Sequence, residues 1–281
     1  MTNMMTGKKI HLYWFSGSGN TLRVARTLTE ELRLQGVEVQ LRPIENFEPK
    51  FFDSNAVLGL AFPTHFFTLP IIVRDFVTKL PNVHGTPAFM LTTAGMVSGG
   101  VHGPLKRLLS RKGFHCVGTR QLMMPDSYFA FIHGRIAERM IVRAERNVRK
   151  FADRLLSGQT DWRRVPVLSD LIAAVGSWCF ARRNLFKTRR YPVVYAKEKK
   201  CVKCNICRKF CPVDALTDSG GKPPQPTLQC TLCLRCVAVC PNNAMRLCFM
   251  GLPPYRALTS GKLTSVIRQT LRESDVFRET E

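Results

Sequence analysis

The chain has 281 residues, 45% of them hydrophobic, which is enough for two packed domains and too apolar for a disordered segment. Its 42 Lys and Arg face 20 Asp and Glu, and the formal charge of +22 calls for an acidic partner or surface. The longest apolar run, Leu171–Ala181, falls short of the roughly 18 residues of a spanning helix, and no secretory signal is visible over Met1–Ile10. The location this implies is the cytoplasm, with contact at the inner membrane face left open.

Residues Lys9–Phe15 (KIHLYWF) are rich in aromatic and β-forming side chains and predict a strand. Ser16, Gly17, Ser18, Gly19, Asn20 and Thr21 follow, and then Leu22, Ala25, Leu28 and Leu32 recur at helical spacing. A strand, a glycine–hydroxyl loop and a helix start make a good anion site, because free backbone N–H groups point at the ligand and small residues let a phosphate approach. A nucleoside-triphosphate loop would need Gly-Lys-Ser/Thr, and no Lys is present. A dinucleotide fingerprint would need a third glycine where Leu22 stands, and no acid ends the second strand, which runs Val37–Leu41 into Arg42-Pro43. The pattern Ser/Thr-x-Ser/Thr-Gly-x-Thr, met here by Ser16, Ser18, Gly19 and Thr21, resembles the phosphate loop of flavodoxins and implies FMN. A ligand-free Gly-rich turn is the alternative.

Short apolar strands are predicted at Ala56–Phe62, Pro87–Thr93 and His115–Met124, with helical patterns between them at Pro70–Lys79 and Pro104–Lys112. Such alternation predicts an α/β domain with a doubly wound parallel sheet. Ligands of these sheets bind at the carboxyl ends of the strands. Pro63, Thr64, His65, Phe66 and Phe67 lie at one such end, and Thr92, Thr93, Ala94 and Gly95 at another. The flavodoxin resemblance implies an aromatic against the flavin ring. His65, Phe66 and Phe67 are candidates, and ordinary packing is the other reading of each. The loop Thr92–Gly100 carries no aromatic, so one ring face is expected to be open or covered by Tyr128, Phe129 or the C-terminal domain.

The basic excess concentrates in the middle. Ile132–Lys200 holds 17 basic and 6 acidic residues. A long Arg-rich helix is predicted over Ile132–Ser157. A second, Val165–Phe186, places Leu168, Leu171, Ile172, Val175, Trp178 and Cys179 on one face. It is readable as an interfacial helix on an acidic membrane, a dock for an acidic redox protein, or a packed inter-domain helix. Nucleic acid is not expected, since charge alone favours it and no binding motif does.

Eight of the 11 cysteines form two runs. Cys201, Cys204, Cys207 and Cys211-Pro212 repeat after 29 residues as Cys230, Cys233, Cys236 and Cys240-Pro241. Three thiolates on a tight loop reach one cubane, while the fourth, after three more residues, ligates the other cluster. Cys201, Cys204, Cys207 and Cys240 are thus expected on one [4Fe–4S] cluster, and Cys230, Cys233, Cys236 and Cys211 on the second. Zinc fits worse, because each loop offers a third cysteine beyond a CxxC pair. Cys116, Cys179 and Cys248 have no ligand spacing and read as packing residues.

Tyr195–Cys248 resembles two-cluster bacterial ferredoxins, which implies a small α+β ferredoxin-like domain and one-electron transfer. The whole chain resembles flavodoxin–ferredoxin fusion proteins, including Gly221-Lys222-Pro223 and Pro254-Tyr255. The expected organisation is a flavodoxin-like FMN domain over 1–160, a basic helical linker over 161–194, a 2[4Fe–4S] domain over 195–250 and a tail over 251–281. The resemblance implies an iron–sulfur flavoprotein passing electrons between its clusters and FMN. A protein donor and acceptor are expected, since no NAD(P)H site is evident. The alternative is a flavin-dependent reductase with its own small substrate, for which His65 and Asp126 are the available acid–base groups. A basic setting near the flavin would favour its reduced anion.

Overall fold

Strand β1 (Ile10–Trp14) is buried at all five residues, as a central parallel strand covered on both faces must be. The computed structural model describes residues 8–65, 67–95, 100–127, 134–162, 171, 174–175, 194–217, 220–247 and 261–269. In that structure β1 lies between β2 (Val39–Pro43) and β3 (Val57–Pro63), and β4 (Pro87–Ala94) and β5 (His115–Met123) extend the sheet. All four pairings are parallel, and the order is β2-β1-β3-β4-β5. This is the flavodoxin-like doubly wound order, whose switch point falls between β1 and β3.

Alternate side chains leave opposite faces of the sheet. Ile10, Leu12 and Trp14 join an apolar cluster with α1 (Asn20–Leu34) and α4 (Gly134–Leu156). Tyr13 and Phe15 join a second cluster with α2 (Ile71–Lys79) and α3 (His102–Arg111). Two ion pairs, Arg23–Glu145 at 2.6 Å and Arg149–Glu31 at 2.7 Å, tie α1 to α4 at their polar edge. No helix covers the β2–β3 connection, which is made of the 3-10 turns Ile44–Asn46 and Pro49–Phe51.

The strands expected between Lys9 and Met124 and the helices expected at Pro70–Lys79, Pro104–Lys112 and Ile132–Ser157 are present, with ends moved by one or two residues. Of the expected helix Val165–Phe186, residues 171 and 174–175 are described. They are helical, with Leu171 and Val175 more than half exposed. The remainder, with Trp178 and Cys179, lies outside the described residues.

The C-terminal module is a pair of near-copies closed by the antiparallel strands β6 (Val194–Ala196) and β7 (Met245–Leu247). The module is not held as a separate bead. Phe210, Ala238 and Val239 belong to the same apolar cluster as Ile10, Leu12 and Trp14. The expected tail contains a helix over 261–269, whose Leu263 and Ile267 are buried in that cluster too. The sequence signal for this helix is the apolar spacing of Leu263, Val266 and Ile267.

Candidate cofactor sites

The turn after β1 is shaped by Gly19, at φ 98°, a left-handed conformation that suits glycine. Its N–H donates to Ser16 Oγ at 3.1 Å, which folds the loop back before α1 begins. Thr21 Oγ1 meets Thr93 Oγ1 at 2.7 Å, joining this loop to the end of β4. The segment after β5 clasps the loop from the other side. Asn20 Nδ2 donates to the Pro125 carbonyl at 2.8 Å, and Ser127 Oγ donates to Ser18 Oγ at 2.6 Å.

These loops border a cleft at the switch point, open to solvent on one side. The β1 loop supplies Ser16–Ser18, Asn20 and Thr21, the β3 loop Pro63–His65, and the β4 loop Thr93–Gly95. Three expected residues stand back from it. Gly19 shapes the turn. Thr92 is fully buried, with its hydroxyl 3.3 Å from Thr64 Oγ1. Phe67 is 40% exposed at φ 61° and accepts a hydrogen bond from Gly100 N–H. Phe66, Tyr128 and Phe129 lie outside the described residues. Of the wall formed by Met124–Ser127, the sequence pointed to Asp126, as an acid–base group, and not to its neighbours. The rule that ligands sit at strand carboxyl ends points to the wall, since it follows β5. The sequence reading also missed the approach of Cys233, which lines the same cleft from the C-terminal module. No local sequence signal foretells that contact.

Burial holds the His65 imidazole at a pKa of about 4, so the ring is neutral at physiological pH. Among the described residues no Lys or Arg lines the cleft, and its charged lining residue is Asp126. The basic setting expected around the flavin is therefore not at the cleft wall. Among the described residues, exposed cationic side chains gather on α4 (Arg135, Arg139, Arg143, Arg146) and around Lys197–Lys209, with their heads in water.

The cysteine module keeps its two-fold repeat in backbone detail. Lys203 and Leu232, Asn205 and Leu234, and Asp214 and Asn243 all adopt left-handed φ between 46° and 62°, each pair 29 residues apart. Successive residues in such conformations turn backbone N–H groups inward to form anion-binding concavities. Ala215 N–H donates to Cys211 Sγ at 3.2 Å, and Ala244 N–H donates to Cys240 Sγ at 3.1 Å. Cys201, Cys204, Cys207 and Cys240 line one small hollow. Cys211, Cys230 and Cys233 are close enough to act on the Cys236 thiol, as Cys207 also is, more weakly. Burial pushes the Cys207 and Cys233 thiols up to about 11, with Arg235 pulling Cys233 the other way. Among the described residues no three His, Cys, Asp or Glu side chains converge as one metal ion would require. The ligands of a cubane stand on separate irons.

The two groups differ in setting. Cys204 is exposed, while Cys233, its counterpart in the repeat, is half-buried against the cleft. Contact with the phosphate loop is direct. A Cβ on Gly17 would overlap the Cys233 carbonyl oxygen. Arg235, 3% exposed, donates from Nε to the Ser16 carbonyl at 2.9 Å and pairs through Nη1 with Glu45.

Both candidate sites fit the groups their chemistry calls for. The cleft offers a buried amide oxygen without a hydrogen-bond partner, Asn20 Oδ1, beside a hydroxyl-rich anion loop. The module offers eight thiols in two sets of four. Sheet order and thiols together define an iron–sulfur protein on a flavodoxin-like scaffold.

Residues 193–242 match the family model of the 4Fe–4S dicluster domain. No curated protein matches the chain. The N-terminal half is similar to solved flavodoxins at low identity. A flavodoxin from the domain Archaea is 13% identical, with 52% of this chain and 98% of that chain covered and a TM-score of 0.39. A short-chain flavodoxin associated with a non-canonical PDU bacterial microcompartment is 15% identical, over 55% and 99%, with a TM-score of 0.42. Megasphaera elsdenii flavodoxin is 21% identical, over 49% and 98%, with a TM-score of 0.37. The 4Fe–4S dicluster match thus falls on the cysteine module, beside an N-terminal sheet of flavodoxin-like order.

Proposed function

We propose that this protein is an iron–sulfur flavoprotein that passes electrons between two [4Fe–4S] clusters and FMN and serves a partner reductase. The observation that carries this reading is Cys233, which lines the same cleft as the phosphate loop. FMN supplies one- and two-electron chemistry, and the clusters supply single-electron steps. The Ser16–Thr21 loop would hold the FMN phosphate through backbone N–H groups and the Ser18 and Thr21 hydroxyls. Pro63–His65 and Thr93–Gly95 would border the ring. Cys201, Cys204, Cys207 and Cys240 would ligate the outer cluster, and Cys211, Cys230, Cys233 and Cys236 the cluster beside the flavin. Exposed lysines around Cys204 favour an acidic redox protein as donor or acceptor.

Anaerobically purified protein should contain eight irons, eight sulfides and one FMN per chain. In stopped-flow reduction, the wild type should pass electrons from clusters to flavin. C233A should keep the outer cluster and FMN and lose that transfer. Zinc in place of iron, or flavin reduced equally fast in C233A, would refute the assignment.

A second reading, a reductase acting on its own substrate, is favoured by Asp126 and neutral His65 sharing the cleft wall. Steady-state turnover of a small oxidant that is lost in D126N, while exchange with a protein carrier is kept, would select it.

A further inference from the structure

Arg235 is a buried cation placed where the repeat does not require one. The position equivalent to it, 29 residues earlier, is Ile206, which packs against the apolar core. Ile206 and Arg235 each open a short helix, Ile206–Lys209 and Arg235–Val239, after a left-handed residue. The module thus carries its own control, since this backbone site accepts an apolar side chain without losing the cysteine loop.

What Arg235 touches is outside its own module. Its Nε donates to the Ser16 carbonyl, in the phosphate loop, across 219 residues of sequence. Its Nη1 pairs with Glu45, in the turn after β2, whose side chain is only 10% exposed. Its guanidinium lies over Phe15 at 5.4 Å and Trp14 at 6.0 Å. A planar fork with several donors can meet a carbonyl and a carboxylate while stacking on a ring; a lysine cannot do all three. Its charge is also felt by the neighbouring ligand Cys233.

We propose that Arg235 is a positioning residue that locks the flavin-side cysteine loop onto the phosphate loop and, with Glu45, sets the potential of that cluster alone. The role presupposes the cluster and flavin sites proposed above. The buried Arg235–Glu45 pair brings a positive charge close to one cluster and balances it with one carboxylate. Removing the carboxylate leaves the cation uncompensated, which favours the more negative, reduced cluster. Removing both groups withdraws the cation and releases the loop from Ser16.

The test compares full-length wild type with E45Q, R235I/E45Q and R235K. Iron, sulfide and FMN are assayed first. If the wild type lacks them, the function proposed above fails, and the question of Arg235 does not arise. With cofactors present, each cluster is titrated potentiometrically by its paramagnetic signal, and FMN affinity is measured by flavin fluorescence. In E45Q the flavin-side cluster should become easier to reduce, its reduced-to-oxidised ratio at fixed ambient potential rising by about threefold to tenfold. The outer cluster should not move. R235I/E45Q should keep both clusters, as Ile206 indicates. Its flavin-side cluster should be harder to reduce than in E45Q, and its FMN dissociation constant about tenfold weaker. R235K should keep the potential near that of the wild type and bind FMN more weakly. The role is overturned if E45Q leaves both potentials in place, if both clusters shift together, or if R235I/E45Q binds FMN as the wild type does.

Discussion

Single residues decide how the two halves meet. Gly17 lies under the Cys233 carbonyl, leaving no room for a Cβ. In G17A the backbone of one loop must move, so iron content should persist while FMN affinity falls about tenfold, a cost of about 1.4 kcal/mol by fluorescence titration. An unchanged affinity would mean the loops part freely. His65 governs a different property. Burial depresses its folded pKa to about 4, below the unfolded 6.5, and His11 is depressed alike, chiefly by burial with Arg42 adding to it. Between pH 6.5 and 4 the unfolded chain binds protons that the folded one refuses. Stability is therefore full above 6.5 and is lost as pH falls toward 4, by up to about 3 kcal/mol for each histidine. Urea unfolding from pH 7 to 5 should show this slope, and H65Q should flatten it. Equal slopes in both proteins would remove His65 from the account. At this scale the sequence was legible where chemistry is local, as in Ser16–Thr21 and the cysteine spacings. It was silent on the contacts of Glu45, Arg235 and Cys233 with the β1 loop or each other, which cross nearly two hundred residues or more and follow no spacing rule.

At the scale of elements, strand and helix order could be read directly because fully buried parallel strands form continuous apolar runs. Helix ends were less clear: α1 starts at Asn20, ahead of its first apolar residue, since Asn20 and Thr21 are held by Pro125 and Thr93. The helix over 261–269 went unread, although Leu263, Val266 and Ile267 carry its spacing. With Leu263 fully buried and Ile267 2% exposed, this segment is part of the main core. L263A should lower unfolding free energy by about 2–4 kcal/mol in denaturant titration. The same variant should loosen the cysteine module, because Phe210, Ala238 and Val239 share that apolar cluster. A loss below 1 kcal/mol would mean the helix rests on the surface.

For the whole molecule, the arrangement is polar in the sense of a direction. One thiol group meets the switch-point cleft at Cys233, and the other reaches solvent at Cys204, beside exposed Lys200 and Lys203 and the apolar tip Val202, which is 62% exposed. A small apolar centre within a charged rim suits the brief, modest interfaces of electron carriers. Among the described residues, the exposed positive charge gathers on this outer end and on α4, away from the cleft, where it can steer the encounter of the proposed acidic carrier. Exchange with an acidic one-electron carrier protein should therefore slow as ionic strength rises, since exposed charges are screened beyond about 8–10 Å. K200E/K203E should slow that exchange about tenfold or more at low salt and erase most of its salt dependence. Reduction by a small uncharged reductant should be the same in both proteins, because it needs no docking. If the double variant loses both rates, the substitutions have damaged the cluster. If it loses neither, electrons enter by another face.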